Sequence, residues 1–235
     1  MMRDYRADDF SEKQLEILEK LLVTPYMQKD LAEELGISGA GLLYHIRKLE
    51  KKNLIGRETT VKVGSVSRKE ISLNANVVQA VRRILNKSTG EYTLITGMGK
   101  DSPLGDSHQL PALTKDLLVE EGYAITRTFV FATPESSLDK GRQLTEIDEV
   151  LIRPYHDYRN DQSELMRDFE NTLQKELKKA DLILDLTPLS KYLTIKLLDF
   201  SYQYQVPACY LAKRGEKDAD ENYLLWINLP KNSIK

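Results

Sequence analysis

Apolar residues recur at helical spacing from Ser11 onward: Leu15, Ile17, Leu18, Leu21 and Leu22 fall on one side of a helix. Ser11 can cap it, with Lys13 and Gln14 behind, and Thr24-Pro25-Tyr26 ends it. A second short helix is predicted from Met27 to Leu35, and Gly36 directly after it suits a C-terminal cap. Ile37 sits in the turn. Ser38 then caps a third helix over 39–52, with Leu42, Ile46 and Leu49 on one face and Leu43, Tyr44, Arg47, Lys48 and Lys51 elsewhere. The period then shortens. Residues 57–63 and 66–73 are β-prone runs around Gly64-Ser65, a hairpin. A further helix, 74–86, carries Val77, Val78, Ala80, Val81 and Leu85 on one side and Arg82 and Arg83 on another. It is too apolar to stand free, so it packs on the preceding elements or pairs with a copy of itself.

Lys87-Ser88-Thr89-Gly90 reads as a linker, after which strands alternate with helices. Strands are predicted at 92–96, 125–131, 147–152, 182–186, 207–212 and 223–229. Helices are predicted at 110–121, 163–179 and 190–204. Leu182-Ile183-Leu184 is apolar throughout, as a central parallel strand should be. The alternation implies a doubly wound, Rossmann-like parallel sheet. The fold class is therefore α/β in two domains, a helix-and-hairpin domain over 1–87 and a Rossmann-like domain over 91–235.

Charge sharpens that division. Residues 1–87 hold 16 Lys/Arg against 12 Asp/Glu, whereas 88–235 hold 18 against 24. Residues 38–87 alone carry 11 basic and 3 acidic side chains, a local field suited to a polyanion. No apolar run is long enough to span a bilayer, and the N-terminus lacks a signal-peptide core, so no membrane association and a cytoplasmic setting are expected. Cys209 is the one cysteine, which excludes an internal disulfide and a cysteine-based zinc site. His45, His108 and His156 have no metal-ligand spacing. No metal, cofactor or catalytic residue is assigned.

The short helix, glycine turn and basic amphipathic helix, followed by a hairpin, resemble a winged helix-turn-helix over residues 11–73. The run Tyr44-His45-Ile46-Arg47-Lys48-Leu49-Glu50-Lys51-Lys52-Asn53-Leu54-Ile55 is similar to the recognition-helix ending of prokaryotic transcription regulators. That resemblance implies double-stranded DNA as partner. Ser38, Leu43, Tyr44, Arg47 and Lys48 would lie on the recognition helix, with Lys62 and Arg68 on the wing. Paired half-sites imply a homodimer.

In an open α/β sheet, ligands bind beyond the carboxyl ends of the strands. Two such ends carry candidate chemistry. Thr96-Gly97-Met98-Gly99-Lys100-Asp101-Ser102 partly imitates a dinucleotide fingerprint, but Ser102 replaces the third glycine and the helix begins late, which argues against a nicotinamide cofactor. Asp185-Leu186-Thr187-Pro188-Leu189-Ser190-Lys191 offers two hydroxyls and a cation at a helix N-terminus; phosphate binding and simple helix capping are both open for it. Together with the earlier strand ending Arg153-Pro154-Tyr155-His156-Asp157, this run resembles the CRISPR-associated Rossmann-fold (CARF) sensors of cyclic oligoadenylates. Thr187 and Lys191 match that family's Thr/Ser-x-x-x-Lys/Arg motif. Pro188 and Leu189 stand where the family often has glycine. The resemblance implies a ligand site made by Gly97, Met98, Gly99, Ser102, Thr187, Ser190 and Lys191, a ligand shared across a dimer, and a transcription regulator. Its alternative is a ring nuclease that cleaves the cyclic oligoadenylate and uses the winged domain for assembly.

Overall fold

In a computed structural model the described residues are 5–63, 66–98, 109–132, 148–152, 162–187, 191–216 and 219–228. Two compact units divide between Lys87 and Ser88.

The first unit is a winged helix-turn-helix. Helix α1 (Glu12–Val23) starts at Ser11, whose Oγ accepts the Gln14 N–H while Gln14 Oε1 accepts the Ser11 N–H at 3.0 Å, a reciprocal capping box. Tyr26 does not merely end this helix. Tyr26–Met27 forms a short strand, β1, antiparallel to Ile71 and Glu70, so the second helix, α2 (Gln28–Glu34), starts one residue later than predicted. Gly36 follows α2 at φ +63°, where an L side chain is strained, and ends the helix cleanly. Ser38 caps α3 (Gly39–Lys51), its Oγ accepting the Gly41 N–H at 3.1 Å. Strands β2 (Ile55–Val63) and β3 (Val66–Leu73) form the wing, with a bulge between Thr59 and Val61, and the sheet order is β1-β3-β2. The core joins Ile17, Leu18, Leu31, Leu42, Ile46, Leu49, Leu54 and Ile71, all fully buried.

The helix predicted over 74–86 divides into a 3-10 turn, Ala75–Val77, and α4 (Val78–Ile84). Of the two arrangements left open for it, the observed one is packing inside this unit, against α1. Val77, Ala80, Val81 and Ile84 are buried there, and so are Gln79 and Arg82. Arg82 is thus buried, whereas Val78 and Leu85 of the predicted apolar side are only half-buried.

The second unit is a six-stranded sheet ordered β6-β5-β4-β7-β8-β9. Its strands are β4 (Tyr92–Met98), β5 (Ile125–Ala132), β6 (Glu149–Ile152), β7 (Asp181–Asp185), β8 (Ala208–Glu216) and β9 (Ala219–Asn228). The pairings from β6 to β8 are parallel. The sheet is not parallel throughout, however: β8 and β9 form an antiparallel hairpin at one edge. Helix α5 (Leu110–Glu120) covers one face, with Leu110 and Leu118 against Leu94, Ile183, Cys209 and Leu211. Helices α6 (Gln162–Leu177) and α7 (Lys191–Tyr204) cover the other, where Phe169, Leu173, Leu193 and Leu197 meet Ile95, Phe131, Leu182 and Leu184. In chain order the strands run 3-2-1-4-5-6, so the sheet reverses direction between β4 and β7. In such folds the carboxyl ends of the strands at this point are where ligands bind.

Candidate functional sites

The first site is the outer face of α3. Burying Leu42, Ile46 and Leu49 turns the remaining positions outward: Tyr44, Arg47, Lys48 and Lys51 are exposed and Leu43 is half-buried. With Ala40 they line an open groove. Lys48 Nζ lies 4.4 Å from the Tyr44 ring centroid, and the His45 ring meets Tyr44 edge-on at 5.2 Å. Exposed cations, one of them stacked on an aromatic ring, on one helix face suit phosphates and base edges together. Lys51 and Ala40 were not among the sequence candidates; their places four residues after Arg47 and four before Tyr44 were the available signal. The Ser38 hydroxyl caps the start of this helix. Glu50 holds Arg57 through Oε1 and Oε2 at 2.5 and 2.8 Å, fixing the end of α3 against the start of the wing. On the wing Arg68 is exposed, opposite Val61. The Lys62 side chain lies outside the described residues.

The second site is the switch point of the sheet. Asp185 ends β7 and is fully buried. Its Oδ2 accepts hydrogen bonds from Thr96 Oγ1 on β4 at 2.9 Å and from Thr114 Oγ1 on α5 at 3.1 Å. Its Oδ1 accepts from the Thr187 N–H at 2.9 Å and from Thr187 Oγ1 at 2.5 Å. Thr187 Oγ1 in turn accepts the Leu211 N–H on β8 at 2.6 Å. One carboxyl thereby fastens three strands, a helix and the loop after β7. Burial pushes the Asp185 carboxyl above its ordinary range, against the pull of the four donors.

The sequence candidates divide accordingly. Gly97 and Met98 end β4, level with Phe131 and Ala132 of β5, and Met98 is buried. Lys191 opens α7 and is exposed. The Thr187 hydroxyl donates to Asp185 Oδ1 and accepts the Leu211 N–H, and the residue is half-buried. Gly99, Ser102 and Ser190 lie outside the described residues, as do His108, His156 and the run 153–157. Asp185, Thr96 and Thr114 were missed as a set. An aspartate within an otherwise apolar strand was the visible sign, but its partners lie 89 and 71 residues away. Among the described residues no cluster of His, Cys, Asp and Glu could hold a metal ion, and no helix is long and apolar enough to cross a membrane.

Residues 11–55 match the sequence family of winged helix-turn-helix DNA-binding domains. No curated protein matches the chain. Among solved structures, the chain is similar to the Staphylococcus aureus MepR–DNA complex (21% identity, 48% of this chain and 81% of that one, TM-score 0.30). It is also similar to Can2 from Sulfobacillus thermosulfidooxidans in complex with cyclic tetra-adenylate (16% identity, 59% of this chain, TM-score 0.38). A third is Enterococcus italicus Csm6 bound to cyclic hexa-2′-fluoro-hexa-dAMP (13% identity, 55% of this chain, TM-score 0.35). This chain spans 36% of the length of each of the last two.

Proposed function

We propose that this protein is a homodimeric DNA-binding transcription regulator whose Rossmann-like unit senses a cyclic oligoadenylate. The observation that carries the DNA half is the exposed face of α3, where Tyr44, Arg47, Lys48 and Lys51 line one groove on a helix-turn-helix scaffold. Arg47 and Tyr44 reach base edges, and Arg68 with Lys62 contacts phosphate. We expect Arg47→Ala to weaken and relax operator binding by about 1–3 kcal/mol. Arg68→Ala should weaken all sequences alike and flatten the salt dependence by about one unit. Mobility-shift titrations across a salt series measure both. Unchanged affinity in both variants defeats the DNA-binding reading.

The ligand half rests on the reversal of strand order between β4 and β7 and on the sequence resemblance of Thr187 and Lys191 to the CARF motif. Lys191 is exposed at the start of a helix of 14 residues, whose first-turn amides and dipole favour an anion. Asp185 holds Thr187 through both its backbone N–H and its hydroxyl. A phosphate ring on a two-fold axis meets two such helix starts at once, which is why a dimer and a symmetric ligand belong together in this reading. A charge-assisted contact is worth roughly 1.5–3 kcal/mol, so Lys191→Ala should weaken the ring by about tenfold or more with no change in melting temperature of the free protein. Calorimetry with rings of several sizes, followed by analysis of the recovered nucleotide, tests binding and separates sensing from cleavage. No heat and no thermal shift with any ring ends the ligand assignment.

A further inference from the structure

The outward face of α3 carries a narrow chemistry. Leu42, Ile46 and Leu49 are buried, and the groove is lined by Ala40, Leu43, Tyr44, Arg47, Lys48 and Lys51. Arg47, Lys48 and Lys51 donate hydrogen bonds and accept none. The one side-chain acceptor in the groove is the Tyr44 hydroxyl, which also donates. No Asn, Gln, Asp or Glu lines it. In the major groove adenine is read by an Asn or Gln amide that both donates and accepts, and the cytosine amino group by a carboxylate. This face has the side chains for neither. Guanine offers two acceptors, N7 and O6, and thymine offers the O4 acceptor beside a C5 methyl. Those are the edges that donors and apolar carbons fit.

Position then assigns the roles. Lys48 Nζ sits over the Tyr44 ring at 4.4 Å and the His45 ring meets it at 5.2 Å, so that ring is already engaged. The apolar carbons left for DNA are those of Ala40, which is exposed, and Leu43, which is half-buried. Positions 40, 43 and 47 follow one another at i, i+3 and i+7, on one stripe of the helix. In a helix-turn-helix the N-terminal part of the recognition helix meets base edges. Ala40 and Leu43 belong to that part, and Lys48 and Lys51 to the last turn. Leu43 precedes Arg47 by four residues, about 6 Å along the helix axis, against about 3.4 Å per base pair, so the two address base pairs about two apart. We propose that α3 selects a guanine and a thymine, with Arg47 on guanine N7 and O6 and Leu43 with Ala40 against the C5 methyl of the thymine about two base pairs away. The inference rests on the DNA-binding reading above and deepens it by naming the bases.

Selection of duplexes from a random-sequence pool by the full chain, followed by anisotropy titrations of the selected site, tests it. The selected half-site is expected to hold a guanine and a thymine about one to three base pairs apart. Uracil in place of that thymine removes the methyl alone and should weaken wild-type binding by about fourfold. Leu43→Ala should bind the thymine and uracil duplexes equally. Leu43→Gln, whose amide fits adenine N6 and N7, should move the preference at that position from thymine to adenine, a change that a damaged fold does not produce. Guanine replaced by 7-deazaguanine, which lacks the N7 acceptor, should weaken the wild type by about tenfold and Arg47→Ala by much less. Circular dichroism checks that each variant folds, and the uracil and 7-deazaguanine duplexes test the wild type without any variant. Enrichment of no duplex overturns the DNA-binding reading and this inference with it. A selected half-site without that guanine and thymine, or equal wild-type affinity for thymine and uracil, overturns the inference and leaves DNA binding standing. So does a folded Leu43→Ala variant that still favours thymine over uracil by the wild-type factor.

Discussion

Asp185 is a group whose chemistry the sequence hides and the fold exposes. Its neighbours in the chain, Leu182 to Leu186, read only as a buried strand. Its four hydrogen bonds come from Thr96, Thr114 and Thr187, which distant segments deliver. Asp185→Asn keeps the size but sets an amide N–H₂ against hydroxyl and N–H donors, so it should cost about 1–3 kcal/mol at neutral pH. The pH dependence has a definite sign. The folded carboxyl is held above its ordinary value of 3.8, so the folded state binds the proton more tightly. Stability relative to the Asn variant is therefore greatest in acid. It falls as pH rises from that ordinary value toward the raised one, then levels off. Denaturant unfolding of both proteins at a series of pH values measures this, and parallel pH profiles would refute it. The same contrast explains Thr187. A hydroxyl after a strand reads as ligand-facing in the sequence, but only the register of β8 reveals that Leu211 and Asp185 already engage it. Cys209 follows the same logic. It is fully buried with its thiol pushed well upward by burial and by nearby Asp185, so it should resist alkylation at neutral pH until the unit unfolds. Labelling as fast as that of a free thiol would contradict it.

Whole elements were far more legible than single contacts, because periodicity is local. The capped helices α1 and α3 lie where the apolar rhythm and the two serines put them. Gly36 marks the turn between α2 and α3 for a reason that can be tested. A Cβ added there meets nothing within 4 Å, so Gly36→Ala introduces backbone strain alone. At φ +63° that strain is worth about 1–2 kcal/mol, which lowers the melting temperature of a unit this small by several degrees, about 4–8 °C per kcal/mol. An unchanged melting temperature would mean that the turn relaxes to another conformation. What the rhythm did not reveal depends on long-range pairing. Strand β1 is two residues long, and only β3, more than forty residues later, makes it a strand. The edge hairpin was read as part of a parallel sheet, since a strand's own sequence does not state its direction. Helix α4 looked like a possible pairing helix because its apolar side is plain in the sequence, whereas its partner α1 is set by the fold.

On the scale of the whole chain, the two units carry separate chemistries and share one covalent junction. Lys87 is ion-paired with Glu19 of α1, so the last residue of the first unit is anchored to that unit. Ser88, the next residue, donates its hydroxyl to Asp181 Oδ2 at 2.7 Å, and the Asp181 N–H donates to Thr89 Oγ1 at 3.2 Å. Asp181 is buried and begins β7, the strand that ends in Asp185. A five-residue strand thus contacts Ser88 and Thr89 at one end and Thr187 at the other, with a buried carboxyl at each. We expect a ligand that shifts Thr187 to bear on the Ser88 contact through this strand. Coupling between two sites is the factor by which one ligand changes the affinity of the other, typically about 5–150-fold. Ser88→Ala removes the junction's side-chain contact without touching Lys191 or α3. We expect the variant to bind the cyclic oligoadenylate alone and the operator alone as the wild type does, while the ligand's effect on operator affinity falls by about threefold or more. Operator titrations with and without saturating ligand measure that factor directly. A variant that retains the wild-type factor would show that ligand and DNA communicate by another route, and a variant that loses either affinity on its own would show that Ser88 serves the fold of its unit instead.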